Sequence, residues 1–537
     1  MITCLVLVER GGNARLDIVS DDYTRATKSA FRRLIKSNTQ DIKHYLPNGT
    51  PNEKASNFSD TDMELSLTSI VLATSLDRSG IDFVVYDQED IIDKYKGKLE
   101  REIDSGIKFV CISTTFFWDM NHLQKVINFF HQRDRDIKIV LGGQGLSVWG
   151  DSAFEKLNNV FCFCYGDIDY FGNYIKDLLN SKIPEDFKLK VTKSGKSFYI
   201  LEKFIPNLDS IFLPDWSLVN RYDFNDNYYA NHPIPDRVSV EERRGCVFRC
   251  AFCSYHSLNT HRQKSSERIV EELVNLKRLG YNKVNFTGAE FLAPPRKCRR
   301  TLELIIEANL NMDLIGYARI DILHKNPDII DLMAKAGFTV AFFGIESGDQ
   351  SILKTMNKKL NIEKSVPEVL DKFKKLNIDV WASFIFGFPG ETEYTAKNST
   401  NFIISRNFTA LDLHALQVVP GTPLDLNKKQ YGLKTLGNFW AHPTMSIREI
   451  PKLMRKVFVD IYPNCDSSVI HIRDHLGKYF FQKNTSAETA RIIDRCLHEF
   501  IYIEFNDAIT TKEERLLKPW NELKKHIKYI PNYILQL

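Results

Sequence analysis

Three cysteines within eight residues, Cys246, Cys250 and Cys253, are the densest concentration of metal-binding chemistry in this chain. Thiolates at Cys-x3-Cys-x2-Cys spacing can each take one corner of a [4Fe–4S] cluster and leave the fourth iron without a protein ligand. A zinc ion is the alternative; structural zinc wants four ligands, and His256 could complete the set. The other seven cysteines (Cys4, Cys111, Cys162, Cys164, Cys298, Cys465 and Cys496) are scattered, several in apolar runs where a reduced thiol behaves as a small hydrophobe. A chain of 537 residues needs no disulfide staples, and its start, MITCLVLVERGG, reads as a first buried strand rather than an export signal. A reducing, cytoplasmic setting is therefore expected, and metal ligation suits the three clustered thiols better than a disulfide with an orphan.

A loop of this kind must be carried by a rigid element, and Arg237–Val240, an apolar strand candidate, runs straight into it. From there to about residue 425 strands alternate with amphipathic stretches, the pattern of a barrel whose chemistry sits at the C-terminal strand ends. A similar alternation fills residues 1–180, with strands expected at Thr3–Val8, Asp82–Tyr86, Lys108–Ser113, Lys138–Leu141 and Val160–Tyr165. Helical spacing recurs at Met63–Leu76, His122–Phe130 and Tyr170–Leu179, so the expectation is an α/β, doubly wound parallel sheet. Residues 13–62 break that rhythm and read as a polar insertion or long ordered loop. Residues 181–235, punctuated by Pro184, Pro206, Pro214, Pro233 and Pro235, read as a linker, and 426–537 as a helical cap.

Composition narrows the partners. The chain is 43% hydrophobic and 26% charged, ordinary for a globular protein, and 72 Lys plus Arg against 68 Asp plus Glu leave a net charge of +4. So even a balance gives no nucleic-acid footprint. No apolar run reaches the roughly 18 residues of a membrane-spanning helix.

The cysteine spacing, with Phe252 before the last thiol, resembles the signature of the radical S-adenosylmethionine (radical SAM) superfamily. In that family S-adenosylmethionine chelates the open iron, and the reduced cluster cleaves it to a 5′-deoxyadenosyl radical. Further motifs follow in order. Thr287-Gly288-Ala289-Glu290 resembles the Gly-Gly-Glu motif that holds the methionine amino group, with Ala289 in place of the second glycine. Arg319 resembles the arginine near the methionyl carboxylate, and Glu346 and Ser347 the pair that meets the ribose hydroxyls. Gly387, in Gly387-Phe388-Pro389-Gly390, and Val419, in a stretch resembling the sixth strand and its exit, complete the cosubstrate set that the resemblance implies. It covers residues 237–425 and implies a partial (β/α)6 barrel.

The N-terminal strand ends Ser113-Thr114-Thr115, Leu141-Gly142-Gly143 and Gly166-Asp167-Ile168-Asp169 look, as an ordered set, like the cobalamin-binding domain that precedes the barrel in one radical SAM class. On that resemblance Ser113, Thr114, Gly142, Gly143, Gly166 and Asp167 are the candidate cobalamin contacts. The cobalt-ligating histidine motif of other cobalamin proteins is absent, as is common in this class, and Phe116, Phe117 and Trp118 could wall the lower face or serve as core. Leu213-Pro214-Asp215-Trp216 and Trp440-Ala441-His442-Pro443 also resemble segments of the class.

The resemblance implies a radical SAM methyltransferase of class B type, acting on an unactivated carbon or phosphinate of a peptide or small natural product, monomeric and supplied with electrons by a flavodoxin or ferredoxin. A cobalamin-dependent cyclisation, ring contraction or rearrangement is the alternative. A tRNA methylthiotransferase would bring a second cysteine triad, and Cys4, Cys111, Cys162 and Cys164 are not so spaced; a non-enzymatic sensor is a further possibility. Tyr255, His256 and His414 are candidates for the substrate pocket.

Overall fold

The computed structural model describes residues 2–9, 18–37, 66–88, 91–115, 120–221, 237–255, 261–406, 408–436, 439–469 and 486–527. The first strand shows why the N-terminal half folds as it does. In β1, Cys4–Glu9, the side chains of Leu5 and Leu7 enter one apolar core while Cys4, Val6 and Val8 enter another. A strand buried on both faces belongs in the middle of a parallel sheet. It pairs in parallel with β2 (Phe83–Gln88) and β3 (Phe109–Ser113), and β4 (Lys138–Gly142) and β5 (Cys162–Gly166) extend the sheet. The order β2-β1-β3-β4-β5 reverses direction between β1 and β3, which opens a crevice beyond the strand ends.

The expected linker is partly sheet. Phe187–Val191 (β6) and Ser197–Lys203 (β7) form a hairpin, and β7 pairs in parallel with β5, giving seven strands. The prolines flank this hairpin and leave its ladder free, which is why punctuation misled.

The second sheet is wound in sequence order. β8 (Arg237–Val240) leads to the short ladder of β9 (Arg243–Arg244) with β10 (Arg262–Gln263). β11 (Lys283–Phe286), β12 (Asp313–Ala318), β13 (Phe338–Glu346), β14 (Asp379–Phe386) and β15 (Ala410–Ala415) then pair in parallel with β8 as β8-β11-β12-β13-β14-β15. Consecutive parallel neighbours joined through helices form the arc of a six-stranded (β/α) barrel. In β14, Val380, Ala382, Phe384 and Phe386 are buried, while Trp381, Ser383 and Ile385 between them are half-buried on the opposite face. The sixth strand ends at Ala415, so Val418 and Val419 lie in its exit and not in the strand.

Two segments depart from expectation at the C-terminal side. Residues 426–537 are not purely helical: β16 (Lys434–Leu436), β17 (Phe439–His442) and β18 (Met445–Ser446) form a small sheet, and β19 (Ser468–Val469) adds to β15. The expected insertion at 13–62 contains a helix, Ile18–Ser37, which packs on the helices Ala487–Phe505 and Lys512–Leu523. Tyr23, Ala26, Ala30, Phe31 and Leu34 recur at helical spacing and are buried, but small alanines among arginines and lysines dilute the signal. The Phe31 ring meets Phe500 edge-on at 5.2 Å and Trp520 at 6.1 Å. Arg33 pairs with Glu504, and Arg455 holds Asp22 from the helix Ile450–Ile461. The rest of 13–62, and Phe116, Phe117 and Trp118, lie outside the described residues.

Phe31→Ala is therefore expected to lower the unfolding free energy by about 3–5 kcal/mol in a urea titration. A loss below about 1 kcal/mol would mean that this helix is a dispensable insertion.

Candidate active site between the two sheets

Every candidate cosubstrate residue follows the C-terminal end of a barrel strand. The cysteines follow β8, Glu290 follows β11, Arg319 follows β12, Glu346 and Ser347 close β13, Gly387 follows β14 and Val419 lies beyond β15. The β9–β10 ladder pinches the neck of the cysteine loop. Within it Cys250 is buried and Cys246 and Cys253 half-buried. Burial pushes the Cys253 thiol up to about 11 and raises Cys246 as well, so without a cationic partner these sulfurs stay protonated. The guanidinium of Arg319 lies 3.9 Å from the Cys250 sulfur and stacks on Phe248 at 3.7 Å. Among the described residues no three His, Cys, Asp or Glu side chains gather closely enough to hold one ion. A cluster asks for less convergence, because each thiolate meets a different iron. His256 lies outside the described residues.

The two arginines of the neck are anchored in the other sheet. Arg244 reaches Asp167 at 2.8 Å and Asp169 at 2.7 Å, and Arg262 grips Asp167 with both terminal nitrogens. The Ile205 N–H donates to Asp167 at 2.6 Å, and the Ile205 carbonyl accepts from Arg262 at 2.7 Å. The side chains of Asp167 and Asp169 are 3% and 2% exposed, so these are desolvated pairs, stable only because each carboxylate is multiply bonded. Burial acts to raise the Asp167 pKa, but the bonds and charges of Arg262 and Arg244 outweigh it and hold the carboxyl below its ordinary value. The Asp167 carboxylate ties the cysteine loop to the N-terminal sheet, and the residue also lines the cavity between the sheets. Gly166 serves the same junction, since a Cβ there would stand 2.2 Å from the Lys203 carbonyl.

Between the sheets lies one cavity of about 1560 Å³. Thr115, Gly143, Gln144 and Gly166 form one wall; Arg243, Cys246 and Tyr255 form another; Gly288, Ala289 and Gly421 complete it. The volume exceeds the roughly 300–1,000 Å³ of an ordinary small-molecule pocket. Gly143 stands at φ +100°, and a Cβ would meet the Thr115 hydroxyl at 2.7 Å, so only glycine lets these two strand ends approach so closely. Tyr255 reaches across from the cysteine loop to hydrogen-bond the Gln144 side chain. Ser113 and Gly142 border a small adjoining cleft. Thr114 lines neither space: it donates to the Gly142 carbonyl at 2.8 Å and accepts from the Leu146 N–H at 3.2 Å, joining two strand ends.

The remaining candidates carry specific electrostatics. Glu290 is 2% exposed; one carboxylate oxygen accepts from the Leu292 N–H at 2.8 Å, and the other has no hydrogen-bond partner among the described residues. Burial pushes its pKa up to about 8, against the charges of Arg243 and Arg319 nearby. Arg319 is held by both oxygens of Asp321 at 2.9 Å, so its charge is half answered before any ligand arrives. Glu346 sits at a register shift with φ +73°, and Lys358, as buried as its partner, holds it at 3.0 Å. Ser347 shares a 3.1 Å bond with Ser399.

Gly387, at φ +91°, donates its N–H to buried Glu391 and accepts from His442 at 3.0 Å, and a Cβ would strike Trp440. The Val419 carbonyl accepts from Thr422 at 2.7 Å. Gly288 is shaped by the protein itself, because Glu242 occupies the space of its missing Cβ and accepts its N–H at 3.0 Å. Phe252 packs on the core, and His414, 2.8 Å from Asp412, stands on β15 away from the cavity wall. Sequence reasoning assigned no role to Asp169, Arg244, Arg262, Lys358 or His442. A signal was there: arginines flank the cysteines on both sides in a chain of even charge.

Arg262→Met should cost about 3–5 kcal/mol of unfolding free energy, because Asp167 is left buried with fewer partners. Since the folded pKa is depressed, that contribution is present above about pH 3.9 and fades as pH falls below it. Urea titrations at pH 7 and pH 3 should show the difference shrinking in acid; an equal gap at both would exclude the ion pairs as its source.

Comparison with known proteins agrees with the geometry. Residues 243–403 match the model of the Radical SAM superfamily. An uncharacterized methyltransferase of Pyrococcus horikoshii is 23% identical over 407 residues, 72% of this chain and 85% of the relative. The structure of the radical SAM methyltransferase TsrM from Kitasatospora setae, with cobalamin and a [4Fe–4S] cluster bound, covers 97% of this chain and 99% of its own at TM-score 0.61 and 13% identity. The cobalamin-dependent S-adenosylmethionine radical enzyme OxsB, with aqua-cobalamin and S-adenosylmethionine bound, covers 99% of this chain and 76% of its own at TM-score 0.60 and 15% identity. At such identities the structural likeness speaks for the fold. No helix among the described residues is long and apolar enough to cross a membrane.

Proposed function

We propose that this radical SAM enzyme, whose radical SAM domain spans residues 243–403, is cobalamin-dependent and transfers a methyl group to an unactivated carbon or phosphinate of a peptide or small natural product. One observation carries the reading. A single cavity, larger than an ordinary pocket, has the Gly-rich ends of the N-terminal sheet on one wall and the cysteine loop on the other. A corrinoid laid on the first wall would face a cosubstrate held on the second. When bound, the cluster supplies the electron that breaks a sulfonium bond, and the corrinoid carries the methyl group.

The residues of the chain supply position and exclusion. Cys246, Cys250 and Cys253 offer three thiolates and leave one iron for the cosubstrate. Glu290, with one oxygen unanswered, fits its ammonium group. Glu346, fixed by Lys358 in a strained conformation, presents a carboxylate edge suited to vicinal hydroxyls. Gly143, Thr115 and Gln144 form the open wall for the corrinoid. The pairs of Arg244 and Arg262 keep the two walls together, so that a radical formed at one is shielded from water until it meets its target.

Anaerobic reconstitution tests both cofactors. About one cobalt per chain is expected with hydroxocobalamin, and iron and sulfide should fall to background in Cys246→Ala, Cys250→Ala or Cys253→Ala. Protein that cannot be loaded with cobalt would overturn the corrinoid assignment. Methyl transfer predicts S-adenosylhomocysteine together with 5′-deoxyadenosine; deoxyadenosine alone would indicate a rearrangement instead.

Glu290 gives a separate test. With a pKa of about 8 it is neutral in the empty site at pH 7, and pairing with an ammonium group ionises it and releases a proton. Affinity for S-adenosylmethionine should rise with pH toward about 8, and the calorimetric heat at pH 7 should vary with the buffer. Glu290→Gln should remove both effects and weaken binding by about 10–100-fold. A buffer-independent heat in the wild type would refute the pairing.

A further inference from the structure

A substrate of the proposed reaction must lie between the corrinoid wall and the cosubstrate, and the β9–β10 ladder is where those two walls meet. Side chains alternate across an extended ladder. Arg244 and Arg262, opposite each other on it, turn toward Asp167 and Asp169 of the N-terminal sheet. Arg243 turns the other way, and His261, the neighbour of Arg262 in the chain, joins it. Both line the cavity. Neither belongs to the groups already assigned, which are Glu290, Arg319 and Glu346 for the cosubstrate and Thr115, Gly143 and Gln144 for the corrinoid.

Bonding capacity is left over on both side chains. The Nε2 of His261 is buried and has no hydrogen-bond partner among the described residues. Burial, and then the charges of Arg243 and Lys297, hold this imidazole below its ordinary pKa, so at pH 7 the ring is neutral and has one N–H to donate. The terminal nitrogens of Arg243 are fixed: one donates to the Ala293 carbonyl and the other to the Phe291 carbonyl at 2.8 Å. Its Nε has no hydrogen-bond partner among the described residues. Glu242, 3.4 Å away, is the one carboxyl among them in ion-pair reach, and burial raises its pKa. Lys297, which donates to the Lys264 carbonyl, adds a second cation nearby. The corner therefore offers a hydrogen-bond donor in a positive field. An oxyanion answers both; a cation would be repelled, and a neutral amide would answer only the donor.

We propose that His261 and Arg243 form a subsite for an anionic oxygen acid of the substrate, a carboxylate or a phosphinate, and thereby orient the centre to be methylated between cosubstrate and corrinoid. The inference rests on the function proposed above and narrows its substrates to acids. No bond is made or broken at this corner: His261 donates one hydrogen bond and Arg243 supplies charge. Because the ladder that carries them is tied through Arg244 and Arg262 to the N-terminal sheet, an anion bound here is held at a constant distance from both walls.

The probes are acetate and methylphosphinate, with acetamide as the uncharged match, and saturation-transfer NMR reads their binding. The enzyme carries its cluster and methylcobalamin, with S-adenosylmethionine saturating, so neither cobalt nor the open iron offers a probe a ligand position. Both anions should bind in the millimolar range, and acetamide about tenfold more weakly. His261→Leu should weaken the anions by about tenfold, while His261→Gln, which keeps an N–H, should stay within about threefold of the wild type. Cobalt content and S-adenosylmethionine affinity on the same samples should match the wild type, which shows the fold to be intact. Equal binding of acetate and acetamide by the wild type would overturn the proposal, as would anion binding that His261→Leu leaves unchanged. Binding seen only without S-adenosylmethionine would overturn it too, since the corner would then serve the methionyl carboxylate. Binding seen only without methylcobalamin would do the same, by giving the corner to the corrinoid phosphate. A wild type that takes up no cobalt defeats the functional reading, while the contrast between acetate and acetamide still judges the corner.

Discussion

The structure turns on two arginines at the neck of one loop. Arg244 and Arg262 stand on either side of the cysteines, on a two-residue ladder, and both point at carboxylates that follow β5 of the other sheet. Charges this deeply desolvated are costly unless every oxygen and nitrogen is answered, and here the backbone of Ile205 supplies the last bonds. That requirement sets the geometry. The cysteine loop cannot shift relative to the N-terminal strand ends without stranding Asp167 or Asp169, so the walls of the cavity keep a constant spacing. Radical chemistry needs such constancy, because a primary carbon radical reacts with whichever C–H bond is nearest.

Around this joint the glycines make room for the protein's own parts: Gly143 for Thr115, Gly166 for the Lys203 carbonyl, Gly288 for the Glu242 carboxylate and Gly387 for the Trp440 ring. Gly143, Gly166 and Gly288 also line the cavity. The buried acids divide into two kinds. Asp167 is held ionised by arginines, while Glu290 and Glu391 are each pushed up to about 8 by burial. Each spends one oxygen on a backbone N–H, Glu391 on Gly387 and Glu290 on Leu292, and the other oxygen of each has no hydrogen-bond partner among the described residues.

The barrel was readable because its strands alternate in burial with period two and each ends in a polar or Gly-rich turn. The order Cys246, Glu290, Arg319, Glu346, Gly387 is then the order of strand ends. The N-terminal strands were readable as continuous apolar runs. The helix Ile18–Ser37 was not, because its buried face is made of alanines and aromatics among basic residues, and its partners, Phe500 and Trp520, are hundreds of residues away. The β6–β7 hairpin was hidden by prolines that only flank it.

By itself the sequence determined the cysteine triad, the two alternating α/β halves and the succession of strand-end motifs, since these depend on local period and spacing. The tertiary structure alone decided what each motif residue does. Asp167 emerged as a tie between the two sheets at the cavity wall, Arg319 as already paired with Asp321, and Lys358 as the partner that holds Glu346 in place. The physical reason is that a buried charge is defined by what surrounds it, and the groups that surround these come from distant parts of the chain.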